Sequence, residues 1–377
     1  MAFDEWSKKN FYNSFNSVKG LLYSEHYQAI IDWRDGKRDA PLPPIEASLD
    51  PIHACNLRCS HCNAASYLIS DLKDRRMTDD HLRDLVHFFG KWGVKAICYG
   101  GGGEPTLHSA LPEMLYLTTA EGMQSSIATN GTRIAGNLPL LYAMADNCRW
   151  VGISVDAATP ETYKIGRNKD SFNDTIAGVK ALAEEVKARK TKCEVGFKFL
   201  IFDYNQHEIY DACKLAKSLG ARDFHARPAD FSHQGMGDLK QAKNPYDLDK
   251  VYEQFEKCRE LEDEDFRVFT VVHKFNADFT PKKGFKQCYA SPIALQLCAD
   301  GNCYFCVDQR HQERFNLGSH LPPENILNWW GGKKHYDLAF GNTPSTCNTR
   351  CTFGKYCEQC EALFANADDD VMCRNFT

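Results

Sequence analysis

Cys55, Cys59 and Cys62 stand in one short stretch with the spacing C-x3-C-x2-C. Three thiolates on one loop can hold three irons of a cubane iron–sulfur cluster, and the stretch supplies no fourth cysteine. One iron would stay open to bind and reduce a small molecule, whereas a structural metal site closes its coordination. Zinc is the competing reading, with His53 or His61 as its fourth ligand.

Farther along, Gly100, Gly101, Gly102, Gly103, Glu104 and Pro105 directly follow the apolar run Ala96 to Tyr99, at the end of an expected strand. Glycines there let the backbone approach a ligand closely. Thr129, Asn130 and Gly131, and then Ser154 and Asp156, close two further apolar runs.

Together these stretches resemble the radical S-adenosylmethionine (radical SAM) superfamily. The resemblance implies a [4Fe-4S] cluster on Cys55, Cys59 and Cys62, completed by S-adenosylmethionine. It implies that Gly101, Gly102, Gly103 and Glu104 receive the methionyl amino group, with Asn130 on the same cofactor edge. Ser154 and Arg167 match a pair that holds the methionyl carboxylate, which a guanidinium fork suits. His61 stands where the family usually carries an aromatic residue near adenine, and an imidazole can stack there. Arg227 would line the substrate cavity.

The C-terminal third carries Cys288, Gly301 and Cys306, then Cys347, Cys351, Cys357, Cys360 and Cys373. This pattern resembles the SPASM extension of radical SAM enzymes, which implies one or two auxiliary [4Fe-4S] clusters. By order, Cys288, Cys306 and Cys360 would serve the first cluster, with Cys298 or Cys303 able to complete it. Cys347, Cys351, Cys357 and Cys373 would serve the second. The spacing C-x3-C-x5-C-x2-C departs from the family's C-x2-C-x5-C-x3-C. Zinc held by Cys347, Cys351, Cys357 and Cys360 is the alternative. Asp308, two residues after Cys306, is the candidate catalytic base. Cys98, in a strand, and Cys213 and Cys258, on apolar helix faces, read as small core residues.

The chemistry so implied is reductive cleavage of S-adenosylmethionine to a 5′-deoxyadenosyl radical that abstracts hydrogen from an unactivated C–H. Oxidation, crosslinking or epimerisation of a peptide or protein would follow, with an external reductant such as flavodoxin or ferredoxin. A sugar or other small metabolite is the alternative substrate. An iron–sulfur electron-transfer or zinc-binding protein without turnover is the non-enzymatic alternative.

Positioning these groups falls to an α/β fold. Apolar runs near residues 46–49, 96–99, 124–128, 150–154, 194–201 and 222–226 alternate with amphipathic stretches. Six strand–helix units predict a (β/α)6 partial TIM barrel with its site at the carboxyl ends of the strands. Helices are expected to start at Thr78, at Pro160 with Glu161, and at two capping boxes, Ser171 with Asp174 and Asn205 with Glu208. The expected organisation is a helical extension over 1–45, the barrel over 46–230, a helical bridge over 231–285 and a cysteine-rich SPASM unit over 286–377. Phe11, Phe15, Val18, Leu22 and Ile30 would form the apolar face of the extension.

At 377 residues, 43% hydrophobic and 25% charged, the chain has a soluble protein's composition and room for a large core. No run is long enough to span a bilayer and no basic-then-apolar leader opens it, so a cytoplasmic protein is expected. In a reducing compartment, 17 cysteines point to metal ligation rather than disulfides. With a net charge of −5 and scattered basic residues, nucleic acid is not the expected partner.

Overall fold

The six apolar runs all become strands in the computed structural model, which describes residues 17–73, 75–229, 246–272, 275, 284–341, 347 and 351–365. Phe11, Phe15 and Cys373 lie outside the described residues. In chain order the first half holds α1 (Ser24–Arg34), β1 (Glu46–Asp50), α2 (Ala65–Leu68), α3 (Asp79–Trp92), β2 (Ala96–Tyr99), α4 (Leu111–Ala120), β3 (Gln124–Thr129), α5 (Leu138–Asn147) and β4 (Cys148–Ser154). Then come α6 (Pro160–Arg167), α7 (Phe172–Arg189), β5 (Glu194–Ile201), α8 (Ile209–Ser218), β6 (Asp223–Pro228), α9 (Leu248–Glu260) and β7 (Arg267–Thr270). The last part holds β8 (Ala294–Cys298), β9 (Asn302–Tyr304), β10 (Asn316–Ser319), α10 (Ile326–Trp329), α11 (Lys333–Phe340) and α12 (Gly354–Ala365).

The strands form one sheet in the order β10-β9-β8-β1-β2-β3-β4-β5-β6-β7. From β8 to β7 every neighbouring pair is parallel, and β9 and β10 close the β8 side as antiparallel strands. The sheet is therefore wider than six units. The span expected as a helical bridge also contains β7, and the cysteine-rich segment contributes β8 directly beside β1. Among the described residues, no helix is long and apolar enough to cross a membrane.

Local chemistry explains the helix ends. Thr78 accepts from the His81 N–H at 3.2 Å, Asp79 and Asp80 occupy the first turn of α3, and Gly93 ends it with φ of 101°. Leu82, Leu85, Val86 and Phe89 put one face of that helix into the core. Pro160 opens α6 as expected. Ser171 precedes α7 without a side-chain capping bond. On α1, Ile30 and Trp33 are buried among C-terminal residues, Ile30 beside Tyr356, Cys357 and Cys360. Leu22, expected on that apolar face, is 75% exposed.

Strand alternation splits the sheet into two faces. Ile97, Tyr99, Ile127, Val151, Ile153, Phe197 and Phe199 enter the main core with the helices. Cys98, between Ile97 and Tyr99, points the other way, so it is not the core residue expected. Its register neighbours are Ser48 and Ser126, and burial pushes its thiol up to about 12. Cys213 and Cys258 do lie fully buried in the core.

On this second face the Trp150 indole lies over Gly152 and Gly196. A Cβ on Gly152 would overlap the ring, and one on Gly196 would stand 2.9 Å from Nε1. The Lys198 ammonium caps the ring at 4.8 Å. Gly152→Ala must displace the indole and is expected to cost about 1–3 kcal/mol, read as a lower denaturant midpoint with a change in tryptophan fluorescence.

Candidate functional site

The cysteine loop leaves the carboxyl end of β1. Its thiols are free, and the Leu57 N–H donates to Cys55 Sγ at 3.4 Å. Burial pushes the Cys55 thiol up to about 12 and the Cys62 thiol up to about 11, with neighbouring thiols adding to the rise. Metal ligation reverses this, because a bound cation favours the thiolate. Among the described residues, no set of three or more His, Cys, Asp or Glu is arranged to hold a single metal ion. His53 stacks on Tyr67 with centroids 4.0 Å apart, and its Nδ1 lies 3.3 Å from the Leu72 carbonyl. His61 packs on Phe202 at 4.7 Å, with Nε2 3.4 Å from Asp156 Oδ2.

The glycine turn presses on this loop. A Cβ on Gly103 would overlap the carbonyl oxygens of Ile52 and Ala54, so only glycine fits. Next in the chain, Glu104 donates its N–H to the Ala54 carbonyl at 2.8 Å. Its buried carboxylate accepts from Thr106 N (3.1 Å), Thr106 Oγ1 (2.6 Å), Thr129 Oγ1 (2.5 Å) and Asn130 N (2.8 Å). Burial raises the Glu104 pKa, and those bonds oppose the rise. Asn130 Nδ2 donates to Asn56 Oδ1 at 2.8 Å, inside the cysteine loop. Glu104 and Asn130 thus join the first loop, the glycine turn and the end of β3.

On the other flank, α6 delivers Arg167. Its Nη2 donates to Asp156 Oδ2, and its Nη1 to Cys59 Sγ at 3.4 Å. Burial works against the Arg167 charge, and Asp156 and Cys59 outweigh it, leaving its pKa above the usual guanidinium value. Burial likewise opposes ionisation of Asp156, and Arg167 and His61 overcome it, holding that carboxyl below its ordinary range. The carbonyls of Gly166 and Arg167 accept from Ser60 N (3.1 Å) and Arg58 N (3.4 Å), docking α6 on the loop.

Asp156 itself has a positive φ of 62°. Its turn is held by Leu200 N–H on Oδ1 at 2.7 Å and by Asn205 Nδ2 on its carbonyl at 2.8 Å. The expected Asn205–Glu208 capping box does not form; Glu208 instead accepts from Ala158 N (2.8 Å), Thr159 Oγ1 (2.7 Å) and Thr162 Oγ1 (2.7 Å). Both residues serve the loop that carries Asp156 and the start of α6. Ser154 ends β4, half-buried opposite Lys198, and Arg227 lies in β6 opposite Leu200.

Three buried polar atoms around Arg167 lack partners: Arg167 Nε, His61 Nδ1 and Tyr204 OH. The Tyr204 hydroxyl lies where a Cβ on Gly166 would be. Soft thiols beside an unused guanidinium N–H fit a cluster with a carboxylate ligand. Asp156 is legible in the sequence beside Ser154 at this edge, though its role there is not, and nothing in the sequence marks Asn56 or Tyr204 as site residues.

The C-terminal cysteines gather elsewhere. Cys288, Cys306, Cys347 and Cys351 line one pocket with Phe285, Phe305 and Phe353. Cys357 hydrogen-bonds Cys288, and burial pushes the thiols of Cys306 and Cys357 well up. Cys360, on α12 with Cys357, is also buried. Members of both expected ligand groups, Cys288 and Cys306 of the first and Cys347 and Cys351 of the second, therefore line this pocket. Cys298 is not among its lining residues; it accepts from Tyr67 OH at 3.3 Å. Cys303 packs in the main core. Asp308 does line the pocket, but its oxygens accept from Thr352 N (2.7 Å) and Thr352 Oγ1 (3.0 Å), the arrangement of a clamp on the Cys351 loop.

Residues 49–216 match the Radical SAM superfamily. The AdoMet-dependent heme synthase of Methanosarcina barkeri is 28% identical over 202 residues, 53% of this chain and 54% of that protein. The chain thus spans about half the length of that relative. The antilisterial bacteriocin subtilosin biosynthesis protein AlbA of Bacillus subtilis is 25% identical over 342 residues, 86% of this chain and 68% of AlbA. Streptococcus suis SuiB shares the fold. Bound to S-adenosylmethionine it gives a TM-score of 0.62 at 15% identity, covering 80% of this chain and 69% of that one. Bound to its precursor peptide SuiA it gives 0.61 at 14%, covering 85% and 71%.

Removing one member of a buried ion pair strands the other. Asp156→Ala should cost about 3–5 kcal/mol in chemical denaturation. Asp308→Ala should cost roughly 1–3 kcal/mol, since the Thr352 N–H loses its acceptor.

Proposed function

With residues 49–216 a radical SAM domain, we propose that the protein reductively cleaves S-adenosylmethionine and modifies a peptide or protein at an unactivated C–H. The observation that carries this reading is the meeting of the three-thiol loop with Arg167, whose Nη1 reaches Cys59 while its buried Nε has no partner. Cys55, Cys59 and Cys62 would hold the [4Fe-4S] cluster, and Arg167, with Ser154, the methionyl carboxylate. The backbone of Gly101 and Gly102 would meet the amino group, with Glu104 holding that turn in place. When bound, the cluster supplies the electron that releases a 5′-deoxyadenosyl radical, which abstracts the substrate hydrogen. The protein's part is to fix the target carbon and keep stray donors out.

A peptide substrate is supported by similarity to a bacteriocin biosynthesis protein over 86% of the chain. A fold shared with SuiB, seen with a precursor peptide, agrees with it. A small-metabolite substrate is the second reading, favoured by the heme synthase match, which covers 53% of the chain. The shared pocket of Cys288, Cys306, Cys347 and Cys351 supports one auxiliary cluster there, able to pass electrons to or from substrate. The primary reductant would be an external flavodoxin or ferredoxin in a cytoplasmic setting.

Reconstituted without oxygen and given dithionite with S-adenosylmethionine, the protein should release 5′-deoxyadenosine and methionine, and Cys59→Ala should release neither. Iron should reach about eight per chain for two cubane clusters. Absence of cleavage by the iron-loaded, unaltered chain would overturn the reading.

A further inference from the structure

Arg310 lies four residues after Cys306, yet its guanidinium reaches the first loop. Nη1 donates to Asp50 Oδ2 at 2.7 Å, and the two side chains are only 7% and 2% exposed. The same nitrogen stands 2.7 Å from where a Cβ on Gly101 would sit, and Asp50 Oδ2 stands 3.0 Å from that of Gly102. The ion pair is the surface on which the glycine turn rests. Its surroundings leave it little room. Cys298 Sγ lies 3.7 Å from Asp50 Oδ2, and Tyr67, which donates to that sulfur, stacks on His53. His53 Cδ2 in turn stands 2.9 Å from the Cβ position of Gly102.

Apolar residues could fill such a space with no loss of stability, because a buried ion pair is costly to desolvate. A charged fork has a different use: its fixed geometry sets the position of what lies against it. The segment that carries Arg310 is anchored at its other end. Cys306 lines the pocket of C-terminal thiols and Asp308 clamps Thr352 there, so alternate residues of one short stretch hold both sites.

We propose that Arg310 is a positioning residue for S-adenosylmethionine. Braced by Asp50, it sets Gly101 and Gly102 at the height where their backbone meets the methionyl amino group, and it does so from a segment fixed to the second cysteine pocket. The inference rests on the function proposed above. It adds a determinant of cofactor affinity that lies outside residues 49–216.

Equilibrium dialysis of labelled S-adenosylmethionine against the anaerobic, iron-loaded protein tests it, alongside the electron paramagnetic resonance spectrum of the reduced cluster. Arg310→Lys keeps the charge and loses the fork. It should weaken binding at least tenfold and alter the spectrum recorded with S-adenosylmethionine, while iron content and unfolding temperature hold. Arg310→Gln should weaken binding further. Wild-type affinity in the lysine variant, or a weakening that only follows lost iron or a lost fold, would overturn the proposal. Failure of the unaltered, iron-loaded protein to bind S-adenosylmethionine at all would overturn the reading beneath it, and the proposal with it.

Discussion

One buried carboxylate holds the reactive edge together. Glu104 is 3% exposed and accepts four hydrogen bonds, from its own turn and from Thr129 and Asn130 at the end of β3. Its backbone reaches Ala54 in the cysteine loop. Desolvating a carboxylate is expensive unless its lone pairs are met, and here they are met by groups from the parts that must stay in register. Parallel strands fix only their own spacing; the loops beyond them need a device of this kind.

The same logic recurs around the site. Residues whose types suggest direct contact with a cofactor or substrate often hold the residues that could make it. Asn130 bonds Asn56, Asp308 bonds Thr352, and Glu208 secures the start of α6. Arg167 combines both tasks, since it is fixed through Asp156 and still has an N–H to offer. A site built this way depends on a supporting layer whose geometry is set before any ligand arrives.

Much of this was legible in the chain. Strand alternation and helix starts such as Thr78 were readable because local periodicity and capping are local physics. The cysteine loop and glycine turn were readable because their spacing is itself the signal. What could not be read depended on contacts between distant residues. Nothing near Arg310 announces Asp50, and nothing near Asn205 announces Asp156. The face presented by Cys98 was misjudged because a short apolar run does not say which of its sides meets the helices. The nearness of Cys288 and Cys306 to Cys347 and Cys351 was not legible either, because it brings together segments about 40 residues apart whose spacing departs from the family's.

The parallel pairing of β1 with β8, Asp50 opposite Cys298, has a consequence for how the molecule comes into being. A nascent chain that has made only β1 to β7 has bare amide and carbonyl groups along one side of its first strand. Such an open border invites pairing with other chains. The partner that covers it is synthesised about 250 residues later, so this closure is among the most non-local contacts in the protein and a slow one to form. Until it arrives, the thiols beside that border belong to an unfinished sheet, and the order of synthesis favours metal loading after the chain is whole.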